Sequence, residues 1–250
     1  MIRIPICNCE FVIHKGIPMN HKRLTLFAGH SGSGKTNIAV NYALHLAAEG
    51  KKVCIADLDI VNPYFRTKDS AAVLEAAGVH LISPQFANTN VDLPALPAEA
   101  YRLVTDRETY GIMDIGGDDR GAYALGRYVP GILEENNYRM LFVANASRPL
   151  TRPPEEALEV MREIEAACGL RFTDLVNNTN LGDLTTPETV LGSQDYMEKL
   201  SSLSGLPVFM TTAKADVAAK LELEGVLPLT LQEKYFDLPS QKPGNRPLWG

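Results

Sequence analysis

The sequence predicts an α/β protein: a mostly parallel central sheet of six to eight strands with helices on both faces. Three observations predict it. Apolar, strand-like runs alternate with helical segments along most of the chain. A glycine-rich turn joins the first such strand to the first such helix in "LTLFAGHSGSGKTNIAV", residues 24–40. Several strands then end in polar residues, and ligands of open α/β sheets bind beyond the carboxyl ends of strands.

The first strand and helix flank the strongest motif. Leu24, Leu26 and Phe27 form the strand, and Ile38, Tyr42 and Leu46 recur every four residues as one helix face that Gly50 closes. Between them, residues 29–36 fit G-x-x-x-x-G-K-[ST], the phosphate-binding P-loop. At average residue usage a chain this long matches that pattern by accident on the order of one time in a hundred. Gly29, Ser31, Gly32, Ser33, Gly34, Lys35, Thr36 and Asn37 are the expected phosphate-binding residues, through backbone amides and the positive end of the helix dipole. Lys35 carries the mobile charge for the outer phosphates, and the Thr36 hydroxyl is placed to ligate magnesium. The expected fold is a P-loop NTPase.

The next strand, "KKVCIADLD" (51–59), ends in Asp57 and Asp59, two acids on one side of a strand. Such a pair can hold a hydrated metal or orient an attacking water; the plainer reading is a solvated strand end. A helix at 70–78, a strand at 79–83 and a helix at 97–108 follow, and then "YGIMDIGG" (110–117). Its Asp114 has the Walker-B position beside the metal, and Gly116 and Gly117 let backbone approach a terminal phosphate. A strand at 139–147, a helix at 153–169, a strand at 172–179, a helix at 187–205, a strand at 206–212 and a helix at 214–225 complete the alternation. The strand at 172–179 carries Asn177 and Asn178, which can read a base edge or simply serve turn chemistry.

Bulk composition narrows the classes. Apolar residues at 45% and charged residues at 22% of 250 suit a globular domain, and the net charge of −6 argues against a nucleic-acid or anionic-membrane partner. No apolar run reaches membrane-spanning length and the first residues lack a signal-peptide layout, so the cytoplasm is expected. Four cysteines make no disulfide framework. Cys7 and Cys9 form a C-x-C pair that can ligate a soft metal, although two small side chains on one strand is the simpler reading. One domain is expected at 19–238, with an N-terminal extension at 1–18 and a proline-rich tail at 239–250.

The stretches "GHSGSGKTNIAVNYAL", "KKVCIADLDIVNPYF", "GIMDIGG" and "LVNN" occur in the order and spacing of the ParA/MinD-like (SIMIBI class) P-loop ATPases of the CobQ/CobB/MinD/ParA nucleotide-binding family, which this chain resembles. "DLDIVNPYFRT", "FANTNVDLPALP" and "VNNTNLGDLTTPE" look more closely like short, stand-alone ATP-binding proteins of that class. The resemblance implies ATP and magnesium as cofactors. It also implies Asp57 and Asp114 near the metal, Asp59 orienting the hydrolytic water, Gly117 sensing the γ-phosphate and Asn178 reading adenine. The chain departs from the family at His30, where some branches carry a second lysine that reaches across a nucleotide-sandwiched homodimer. Arg120, Arg127, Arg148 or Arg152 can supply that charge instead.

Three functions compete. The first is an ATP-hydrolysing switch on a partner protein. The second is an ATP-dependent small-molecule ligase or kinase like the cobyrinic-acid diamide synthase nucleotide domain. The third is a metal-insertion ATPase using Cys7 and Cys9. The irregular stretch 83–97, with Asn88, Asn90 and Asp92, is the expected partner or substrate surface, and Arg66 is available to an acceptor substrate.

Overall fold

The structure, a computed structural model, describes residues 20–58, 70–82, 98–117 and 119–230. Among these residues eight strands form one sheet: β1 (Leu24–Ala28), β2 (Val53–Leu58), β3 (His80–Ile82), β4 (Tyr110–Ile115), β5 (Tyr138–Ala144), β6 (Asp174–Asn177), β7 (Val208–Lys214) and β8 (Val226–Leu229). Their order is β3-β2-β4-β1-β5-β6-β7-β8, and every neighbouring pair is parallel. The chain leaves β1 toward one half of the sheet and later fills the other. The carboxyl end of β1 therefore lies where the winding reverses, and a crevice opens there.

Both faces of the sheet are covered, so the central strands are apolar on both sides. Leu24, Leu26 and Ala28 of β1, with Ala56, Leu58, Met113, Ile115, Met140 and Phe142, face a layer of five helices. These are α3 (Arg102–Thr105), α4 (Asp119–Gly126), α5 (Val129–Glu135), α6 (Pro154–Cys168) and α8 (Gln194–Ser204). The opposite face, with Phe27, Ile55, Ile112, Leu141 and Val176, packs on α1 (Lys35–Ala48) and on Leu74 of α2 (Ala71–Ala76). Helix α1 is buried on most of its circumference. Its one buried amide, Asn41, is matched in full: the side chain donates to Thr230 O at 3.0 Å and accepts from Thr230 N at 2.9 Å, clamping the end of β8.

The strands at 51–59, 110–117, 139–147 and 172–179 are present in shortened form, and the sheet lies at the upper end of the expected six to eight strands. Other elements differ. The single helix expected at 187–205 is two, α7 (Pro187–Leu191) and α8, broken at Gly192 and Ser193. Ser193 is buried at the break, where its hydroxyl donates to Val190 O at 2.7 Å and accepts from Asn177 Nδ2 at 2.9 Å. The helix expected at 214–225 stops after one turn, α9 (Ala215–Ala218), because the chain must turn to lay β8 beside β7. The segment expected as a helix at 97–108 is a 3-10 turn at Ala98–Tyr101 followed by the short α3. Helices α4 and α5 and strand β8 have no counterpart in the sequence reading.

Candidate functional site

The crevice at the carboxyl end of β1 holds the P-loop, and the elements around it dictate its shape. Gly34 caps α1 with φ +94°, a conformation that L side chains rarely adopt, and a Cβ there would run into the Asn178 amide. The first N–H groups of α1 have no partner inside the helix, and Gly34 brings no capping side chain to cover them. This is a donor-rich, anion-seeking end. Ser33 is buried, and its hydroxyl has no hydrogen-bond partner among the described residues.

Lys35 is only 5% exposed, and its ammonium donates to His30 O at 3.1 Å inside the loop. Gly117, two residues beyond β4, lies against the same group. A Cβ on Gly117 would stand 2.6 Å from Ser31 N and 2.9 Å from Lys35 Nζ. The loop after β4 therefore touches the P-loop at its charged centre, and only a residue without a side chain fits.

Asp57 and Asp114 are partners in register on adjacent strands, and both are buried. Alternation along β2 and β4 puts them on the face that carries Ile55, Ile112 and α1. Neighbouring strands lie ~4.8 Å apart. At an effective dielectric of about 20, two carboxylates at that spacing repel by roughly 3 kcal/mol when both are ionised. Such a pair favours a cation. Asp59 lies outside the described residues, as do Cys7, Cys9, Arg66 and the stretch 83–97.

Asn178 is buried at the end of β6, and both ends of its amide are bonded within the protein. Nδ2 donates to Ser33 O at 2.6 Å, and Oδ1 accepts from the Thr212 hydroxyl at 2.7 Å. In this arrangement it braces the P-loop against β7. Asn177 faces away from the site, tied to Ser193 and to Thr179 N. His30 is folded along its own loop, its Nδ1 2.8 Å from Ser31 O.

Two contributors were not legible in advance. Thr212 comes from β7 and meets Asn178 only because β6 and β7 are neighbours. Arg148, one of four arginines the sequence could not rank, lies over the loop, its guanidinium carbon 3.7 Å from where a Gly32 Cβ would be. It follows β5, and its exposed side chain overhangs the phosphate-binding backbone.

This geometry matches what comparison with known proteins finds. Residues 24–227 match the CobQ/CobB/MinD/ParA nucleotide binding domain (CbiA). The chain belongs to that family. Similar solved structures include FtsY from Mycoplasma mycoides, with a TM-score of 0.51 and 15% identity over 81% of this chain and 63% of that one. The signal recognition particle 54 kDa protein from Aeropyrum pernix K1, in complex with GDP, gives 0.52 and 18% over 78% and 42%. Chloroplast FtsY from Physcomitrella patens gives 0.52 and 15% over 79% and 60%. At such identities the likeness shows the P-loop α/β fold alone, and this chain spans under two thirds of each of those proteins. No curated protein matches the sequence. No helix among the described residues is long and apolar enough to cross a membrane.

Proposed function

We propose that this CobQ/CobB/MinD/ParA family member is a magnesium-dependent ATPase that switches a partner protein according to the nucleotide it holds. The observation that carries the proposal is the contact of Gly117 with Ser31 and Lys35, which links the loop after β4 to the outer-phosphate position. A loop so placed changes its surroundings when a terminal phosphate leaves. Lys35 and the amides of residues 32–36 bind the phosphates, and Arg148 adds a second positive charge at the rim. Thr36, Asp57 and Asp114 would form an all-oxygen donor set that fits magnesium, and register on adjacent strands supports a shared site for the two carboxylates. Magnesium, when bound, would neutralise phosphate charge. Asp59 would accept the hydrogen bond that orients the attacking water.

Adenine is the proposed base. The chain carries Asn178 at a strand end and lacks the N-K-x-D pattern by which many GTPases place an Asp on guanine. An amide has two donor and two acceptor sites. Asn178 keeps one of each beyond its bonds to Ser33 and Thr212. The partner surface is proposed at 83–97.

Calorimetry with ATP and GTP, with and without magnesium, tests the binding half; tighter GTP binding would overturn the base assignment. Single-turnover hydrolysis by Asp59→Asn tests the other half. Affinity is expected to stay while the rate falls about 10²–10⁴-fold, the usual worth of a positioned base. A wild-type rate in that variant would remove Asp59 from the mechanism and leave nucleotide binding intact. Hydrolysis that depends strictly on an added metabolite would favour the ligase or kinase reading.

A further inference from the structure

The opposite edge of the sheet carries a group of side chains that nucleotide binding does not use. His21 precedes β1, and His45 and Glu49 lie one turn apart at the far end of α1, where i and i+4 share a face. Helix geometry puts them ~20 Å from the P-loop. Glu49 Oε2 is 3.1 Å from His21 Nε2, and Glu49 Oε1 is 3.2 Å from His45 Nε2. One ligand atom from each residue falls within 4.8 Å of the other two. The side chains are 4%, 12% and 15% exposed for His21, His45 and Glu49.

We propose that His21, His45 and Glu49 bind a divalent transition-metal ion, with zinc as the best fit. Zinc holds imidazole nitrogen at ~2.0–2.1 Å and carboxylate oxygen at ~2.0–2.2 Å, so neighbouring ligands on a tetrahedron stand about 3.3 Å apart. Each imidazole nitrogen already stands at about that spacing from one of the two Glu49 oxygens, and both nitrogens and a single oxygen lie within 4.8 Å of one another. The ring of His21 supplies a second, independent sign. Its Nε2 is buried and close to the carboxylate, yet it makes no hydrogen bond with any described residue. The other nitrogen, Nδ1, is hydrogen-bonded to the Tyr42 hydroxyl at 3.0 Å. That outer partner fixes the ring and directs Nε2 into the cluster, as second partners of metal-bound histidines do. Three protein ligands leave a fourth position for water or an exchangeable ligand.

The test is metal titration of the full chain without nucleotide. Zinc is titrated against a chromophoric chelator, and cobalt(II) is followed by its visible absorption. One zinc equivalent is expected with Kd at or below about 1 µM. Tetrahedral cobalt bands are expected with no near-ultraviolet thiolate band. His45→Gln and Glu49→Gln should each weaken zinc about 100-fold or more, and Tyr42→Phe about 10-fold. Unchanged melting midpoints would show that these variants are folded. Cys7→Ser with Cys9→Ser should leave the affinity as it was. Absence of stoichiometric binding, retention of full affinity in both ligand variants, or a thiolate band lost with the two cysteines would overturn the proposal. Because no nucleotide is present, the result is independent of the ATPase reading.

Discussion

The two edges of the sheet treat buried charge in opposite ways. At the amino edge Arg23 is 5% exposed and matched within the protein. Its guanidinium pairs with Glu135 through two nitrogens and donates to Thr109 O at 2.9 Å and Leu103 O at 2.8 Å. At the carboxyl edge two carboxylates lie abreast in register, and the Lys35 ammonium donates to His30 O within the loop of glycines. A guanidinium pinned from three sides fixes β1 against α5 and the start of β4. A helix end whose first amides have no partner within the helix, and a buried Ser33 hydroxyl with no partner among the described residues, leave hydrogen-bonding capacity for a ligand. The same strand, β1, thus has one end built for rigidity and one end built for a ligand.

The sharpest way to break that contrast is to exchange the consequences. Lys35→Ala should lower nucleotide affinity about 10³-fold, the loss of two charge-assisted hydrogen bonds at roughly 2 kcal/mol each. The melting midpoint should barely move. Calorimetry beside thermal unfolding reads both, and unchanged affinity would end the phosphate assignment. Arg23→Met should do the reverse. It leaves the Glu135 carboxylate buried with Arg107, at 3.2 Å, as its remaining ion-pair partner among the described residues. Removing one partner of a buried pair costs about 3–5 kcal/mol, and Arg107 keeps this case near the lower figure. For a chain of this size that is a fall of about 6–12 °C in midpoint. Nucleotide affinity of the folded variant should be unchanged.

Gly117→Ala probes the contact between the two loops of the ligand edge. Its Cβ would meet Ser31 backbone, which cannot swing aside as a side chain can. The P-loop must shift by several tenths of an ångström, and affinity should fall about 30-fold with little change in melting. A variant that binds as tightly as the wild type would show that this contact is not maintained in the bound state. It would also remove the support for a switch driven by the terminal phosphate.

The ligand edge was more legible in the sequence than the elements that hold it. P-loop, Asp57 and Asp114 are local patterns: a strand's apolar run, then the residue that chemistry requires. Helix α6 announces itself with Pro154, Glu155 and Glu156 at its start and Gly169, at φ +75°, at its end. Strand β8 does not. Its Val226–Leu229 run contains Pro228, which argues against a strand in sequence, and it survives because β8 is an edge strand. The break at Ser193 is equally silent, since the bond to Asn177 that rewards it comes from 16 residues away. Thr212 and Arg148 reach the site through strand order, and no local pattern encodes that order.

Asn178 offers the finest test, because one side chain is proposed for two tasks. As a brace it ties Ser33 to β7, and as a base reader it would favour adenine. Asn178→Ala removes the bond to Ser33 O and the shorter acceptor of the buried Thr212 hydroxyl, which keeps Asn177 O at 3.3 Å, a change worth about 1–2 kcal/mol. A brace acts on phosphate geometry, so its loss should weaken ATP and GTP alike, by about 10-fold. A base reader acts on the purine, so its loss should weaken ATP while GTP stays put. Calorimetry with the two nucleotides separates these patterns. A uniform loss would make the adenine assignment rest on the missing N-K-x-D pattern alone, and a selective loss would add base reading to the work of the ligand edge. Unchanged affinity for both would mean that the loop holds its shape from Gly34 and α1 without help from β6.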